Sequence, residues 1–134
     1  MFANTQMPAL NFTFPDVCKV ATPVGPIPLP LVNLALTAMA IPTIFNQFIT
    51  AMPQHNLITM EPISNGDEPG LTGGGGVVSN LAIGPCRHLF GSFKVFKMCM
   101  PSTKMLSPSG QNGALMNIPG LTLTPSQVKV MELA

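Results

Sequence analysis

The chain has 134 residues, one domain's worth, a formal net charge of +1 and only 8% charged residues. That balance excludes the clustered basic footprint that a nucleic-acid partner requires. Fifteen prolines and twelve glycines would suit disorder, but a hydrophobic fraction of 46% favours a packed, turn-rich, mainly β fold.

Met1 to Gln6 lacks both the basic charge and the continuous apolar run of a secretory leader, so synthesis in the cytoplasm is expected. Asn11-Phe12-Thr13-Phe14 alternates polar and aromatic residues, as a short half-buried strand does. From Phe14 to Asn33, Pro15, Pro23, Pro26, Pro28 and Pro30 remove backbone donors and fix φ. This stretch predicts a stiff extended ribbon that is neither a helix nor the centre of a sheet.

Leu31 to Ile49 is strongly apolar, and no formally charged residue lies between Lys19 and Glu61. Pro42, Asn33, Asn46 and Gln47 interrupt the run short of the ~20 apolar residues a spanning helix needs, so no stable membrane insertion is expected. Helix and strand both fit Leu31 to Ile49.

Ala51-Met52-Pro53-Gln54-His55-Asn56-Leu57 and Cys99-Met100-Pro101-Ser102-Thr103-Lys104-Met105-Leu106 each set a Met-Pro turn before a polar tip, and Met7-Pro8-Ala9-Leu10 reads as a shorter third copy. Such hairpins would wrap an axis and give pseudo-symmetric sides from one chain; in a chain with ten Met and fifteen Pro, spacing alone favours coincidence. Ile63 to Gly70 is a turn cluster with an Asn-Gly pair, and Asp67-Glu68 within it reads as a solvated tip. The Gly73 to Gly76 tract lacks any phosphate-loop spacing and suits close backbone packing or a flexible loop. Short strands are expected at Val77-Val78, Leu81 to Ile83, Phe93 to Phe96, Leu121 to Thr124 and Val128 to Val130, with a loop at Ser107 to Gly113. Residues 1–134 leave room for one domain.

Cys18, His55, Cys86, His88 and Cys99 are the side chains able to hold a soft or borderline metal. Cys86 and His88, two apart on a strand, would share a face, while Cys18 and His55 must be brought in by the fold. The alternative is that each is a packed core residue, with Cys99 a small hydrophobe between methionines. No nucleophile, base and acid fall into a recognisable set, so no enzymatic activity is expected.

Phe14-Pro15-Asp16-Val17-Cys18, then Thr22-Pro23-Val24-Gly25-Pro26-Ile27-Pro28-Leu29-Pro30 and Asn33, resembles the opening signature of the PAAR-like proteins of bacterial type VI secretion systems. Cys86-Arg87-His88 is a second match, and Met100 to Met105 occupies the place of the Pro-Ala-Ala-Arg element. The resemblance implies a small cone-like domain of short strands and hairpins that caps a trimeric, VgrG-type spike and sharpens it for membrane puncture. It implies a cytoplasmic protein that is then delivered by the apparatus, with any effector a separate polypeptide and Leu121 to Val130 contributing to the base. It also implies zinc near the tip; with only two histidines in this chain, the ligand set would be Cys18, His55, Cys86 and His88, with Cys99 as substitute. The same side chains could plug the narrow end without metal. Two other roles fit the sequence: an effector-loading adaptor working through Ile63 to Gly76, and a small membrane-active toxin.

Overall fold

The computed structural model describes residues 1–133, which are 47% strand and 6% helix. The strands are β1 Leu10–Thr22, β2 Gly25–Leu36, β3 Ile44–Ile49, β4 Met52–Gln54, β5 Met60–Glu61 and β6 Ser64–Asn65. They continue with β7 Gly75–Gly76, β8 Cys86–His88, β9 Phe96–Lys97, β10 Met100–Pro101, β11 Pro108–Gly110 and β12 Pro119–Thr122. A nearly closed sheet runs β5-β8-β11-β12-β1-β2-β6, with β7 also on β1.

The proline-rich stretch is extended but doubles back at Pro23-Val24, so β1 and β2 form a long antiparallel hairpin. Its first half lies inside the sheet, contrary to expectation, because β1 also pairs with β12 and β7. Pro15 is accommodated where the register shifts between Thr13 and Asp16. Pro26, Pro28 and Pro30 alternate along β2, which puts their missing donors on one side of the strand. That side faces away from β1, and β6 reaches only Leu34 and Ala35. Leu31 to Ile49 resolves into the end of β2, a 3-10 turn at Thr37–Met39 and strand β3.

The interior inverts the usual partition. On β1, Asn11 and Thr13 are buried and Phe14 is exposed; on β12, Thr122 is buried and Leu121 exposed. The buried apolar set is confined to Ala3, Ala9, Cys18, Ala35, Ala40, Ile44, Ile49 and Cys86 among the described residues, while Val24 is 95% and Phe93 83% exposed. The hydrophobic composition therefore builds a surface more than a core.

The sequence repeat has a structural counterpart. β3–β4 turns through Thr50 and Ala51, and β9–β10 through Met98 and Cys99, all four at positive φ, as two-residue hairpin turns require. Beyond the turns, three segments close into a ring: Thr5 bridges Gln54, Asn56 bridges Ser102, and Lys104 bridges Ala3. Equivalent hydrogen bonds follow the same cycle, from Gln6 N–H to Pro53 O (2.9 Å), Leu57 N–H to Pro101 O (2.9 Å) and Met105 N–H to Phe2 O (2.8 Å). The third copy is thus Met1 to Thr5, not Met7 to Leu10, because the backbone pairing repeats and the Met-Pro dipeptide does not. The middle residues Asn4, His55 and Thr103 are fully buried.

Val128 to Val130 forms no strand. It lies along the ring by a bond from Ala3 N–H to Val130 O and is shaped by the Gln127 amide, whose oxygen accepts from Lys129 and Val130. Val77-Val78 and Leu81 to Ile83 are turns and bends, and Ser107 to Gly113 contains β11.

Candidate functional site

The hairpin carries Asp16 and Cys18 on one buried face of β1, two residues apart. The 3-10 turn after Asp67 packs on that face; a Cβ on Gly70 would sit 2.7 Å from the Cys18 Cβ, so only glycine permits the approach. Gly73 likewise lies against the Lys19 carbonyl, which makes the glycine tract a close-packing device. Asp67 is fully buried, against the expectation of a solvated tip, while exposed Glu68 caps the Gly66 N–H at 2.9 Å.

Asp16, Cys18 and Asp67 have donor atoms within 4.8 Å of one another, the one such group of three among the described residues, and by proximity could bind a metal. Their surroundings are amides. Asp16 Oδ2 accepts from Asn33 (2.7 Å) and Asn112 (2.8 Å), Asp16 Oδ1 from Asn117 (2.6 Å), and Asp67 Oδ2 from Asn112 (2.8 Å). The Ile83 backbone N–H adds a bond to Asp67 Oδ1 at 3.2 Å. Burial, then the charges of Asp16 and Asp67, push the Cys18 thiol up to about 12. Burial is also the main cause holding the Asp67 carboxyl above its ordinary range. With amide N–H groups rather than lone pairs turned toward the two carboxylates, this group does not fit a zinc ion.

The four donors chosen from sequence do not form one metal-binding group among the described residues, and of them only Cys18 belongs to the group of three. Cys86 and His88 do share the buried face of β8, with Arg87 exposed between them and reaching the Ala114 carbonyl. Cys86 lies beside Glu61; burial and that carboxyl raise its pKa. Neither Glu61 oxygen has a hydrogen-bond partner of normal geometry, although the Cys86 thiol and Asn11 amide adjoin it, and burial raises the carboxyl to about 7. His88 Nε2 is 3.4 Å from the Asn4 amide nitrogen, and burial lowers the ring to about 4. His55 Nε2 pairs with Gln6 Oε1 at 2.9 Å; burial, then the charges of His88 and Lys97, lower it to about 3. Cys99 is exposed on the β9–β10 turn at φ 64°. Close by the ring, Lys97 Nζ and Glu132 form a buried ion pair of 2.6 Å that also holds Ser102 at 2.7 Å.

Sequence reasoning had Asp16 and Asn33 in hand as parts of the opening signature but gave them no role. Asn112 and Asn117, in a loop after β11, carried no local signal.

Fold and site together define a small β scaffold of three pseudo-equivalent sides around a polar interior. The chain belongs to the toxin PAAR-like domain family, whose model matches residues 9–120. Membership brings the type VI secretion context that the family implies. Comparison with curated proteins and with solved structures returned no match.

Proposed function

We propose that this chain is a non-enzymatic tip protein that caps the trimeric, VgrG-type spike of a type VI secretion apparatus and sharpens it for membrane puncture. The cyclic ring of Ala3 to Thr5, Gln54 to Asn56 and Ser102 to Lys104 carries this reading, because one chain then offers three near-equivalent sides to a three-fold partner. Around that ring the exposed apolar side chains of Met1, Val128, Val130 and Met131 supply surface for a partner to cover. A rigid scaffold of short loops and proline-stiffened hairpins suits a part that is loaded mechanically. The zinc implied by the resemblance has no part in the mechanism.

Delivery with the apparatus follows from this role. No helix among the described residues is long and apolar enough to cross a membrane. A separate effector polypeptide would be tethered on an exposed flank. The Ile63 to Gly76 segment is held down by β6 pairing and buried Asp67, and it presents Ile63 and Leu71 outward.

The test is reconstitution with the trimeric spike protein and measurement of complex mass. One chain per trimer is expected, and Val128→Asp with Met131→Asp should abolish the complex while leaving the unfolding temperature unchanged. A stable spike complex that survives both substitutions would move the docking face elsewhere; no complex at all would sink the reading.

A further inference from the structure

We propose that Asn33, Asn112 and Asn117 hold the buried Asp16–Asp67 pair in place of a metal ion, so that amide–carboxylate hydrogen bonds staple four chain segments together.

The segments are β1 with Asp16, β2 with Asn33, the turn before the 3-10 helix with Asp67, and the β11–β12 loop with both Asn112 and Asn117. A bound ion would hold such a junction through negatively charged or lone-pair donors pointing inward. Here N–H groups point inward, and two of the three amides have their orientation locked from outside. The Asn112 oxygen accepts the Gly84 N–H at 2.9 Å, and the Asn117 oxygen accepts the N–H groups of Val78 (3.1 Å) and Ser79 (2.9 Å). Turning either amide to offer its oxygen to a cation would leave these backbone donors unpaired and set its NH2 group against them. Asn33 places its nitrogen 2.7 Å from Asp16 Oδ2, and the reverse orientation would set oxygen against carboxylate.

The bridging position is the decisive one. Asn112 Nδ2 lies 2.8 Å from Asp16 Oδ2 and 2.8 Å from Asp67 Oδ2, so a single amide nitrogen stands between the two acids where a shared cation would otherwise stand. Charge-assisted hydrogen bonds of this length are the strong class, and their fixed geometry gives the junction rigidity as well as cohesion. Gly70 closes on Cys18, whose sulfur makes long contacts, 3.9 Å to Asp16, 4.0 Å to Asp67 and 3.9 Å from the Asn117 amide nitrogen.

The test is elemental analysis and thermal unfolding of the full chain purified without chelator, then repeated with EDTA and with added zinc. The expected result is no stoichiometric metal and an unfolding temperature that neither treatment moves. About one equivalent of metal, released by Cys18→Ser and lost together with stability on chelation, would overturn the proposal. Asn112→Asp replaces the bridging donor with a third carboxylate: the unfolding temperature should fall by about 5 °C or more, and calcium or zinc should then restore part of it. Should that variant fail to fold, Asn117→Ala serves, with a smaller fall of the same size in EDTA and in its absence. A fall confined to chelator-free buffer would show the residue acting through a bound ion and would refute the staple.

Discussion

Around Asp16 both carboxylate oxygens have amide donors, whereas around Glu61, at the far end of the same sheet path, neither oxygen has a partner of normal geometry. Both side chains are essentially inaccessible. Burial costs a charge several kcal/mol unless it is paired or hydrogen-bonded, and the protein meets that cost in two ways. At Asp16 it supplies donors, and the carboxylate becomes a cross-link. At Glu61 the adjoining Cys86 thiol and Asn11 amide make no bond of normal geometry, and burial raises the carboxyl to about 7. Placement among donors, not residue type, decides whether a buried acid holds the fold together or burdens it.

The largest effect should come from removing the bridging donor. Asn112→Leu leaves Asp16 and Asp67 facing each other without their shared amide and should cost about 3–5 kcal/mol in urea unfolding. A loss under about 1 kcal/mol would erase the contrast between the clusters.

Glu61→Gln should act in the opposite direction. Because the folded carboxyl is raised above its ordinary value of 4.5, wild-type stability contributed by this group is full below that pH and lost as pH rises through about 7. The variant lacks that loss and should gain roughly 2–3 kcal/mol over wild type at pH 8, with no gain at pH 4. Reading the difference between variant and wild type matters, since His55 and His88 slope the other way. Their lowered pKa values, about 3 and about 4, give stability that is present above pH 6.5 and lost as pH falls. In Glu61→Gln that acid-side loss should stand uncovered.

Asn117→Ala removes a peripheral donor to Asp16 and the acceptor for two backbone N–H groups, and should cost about 1.5 kcal/mol. Cys99→Ser, at an exposed hairpin turn, should change stability by about 0.5 kcal/mol or less, marking the zero of the series. A large effect there would mean that the exposed thiol is engaged in the folded protein.

Much of the fold was legible because its signals are local. Prolines at every second position of β2 dictated an extended path, and the two Met-Pro segments gave a weak repeat that only the backbone ring set apart from coincidence. The third copy was misplaced, since Met1-Phe2-Ala3 shares the backbone pairing of the others but not their proline. The site was harder to read. Cysteines and histidines drew attention as metal donors, while the residues that converge are two aspartates and three asparagines, a composition common to any turn.

The sequence by itself determined that this is a β protein, that its proline-rich stretch is extended, and that Cys86 and His88 share a face. Each of these depends on residues within a few positions of one another. Only the tertiary structure decided which face of each alternating strand turned inward, and it chose the polar one at Asn11, Thr13 and Thr122. Alternation defines two faces without a sign, and the sign is set by what other segments bring to meet it. Asn112 reaches Asp16 across 96 residues and Asp67 across 45, distances over which no local pattern carries information about a partner. The closure of the sheet brings those groups together, and the hydrogen bonds that result make a polar interior cheaper to bury than a charged one left alone.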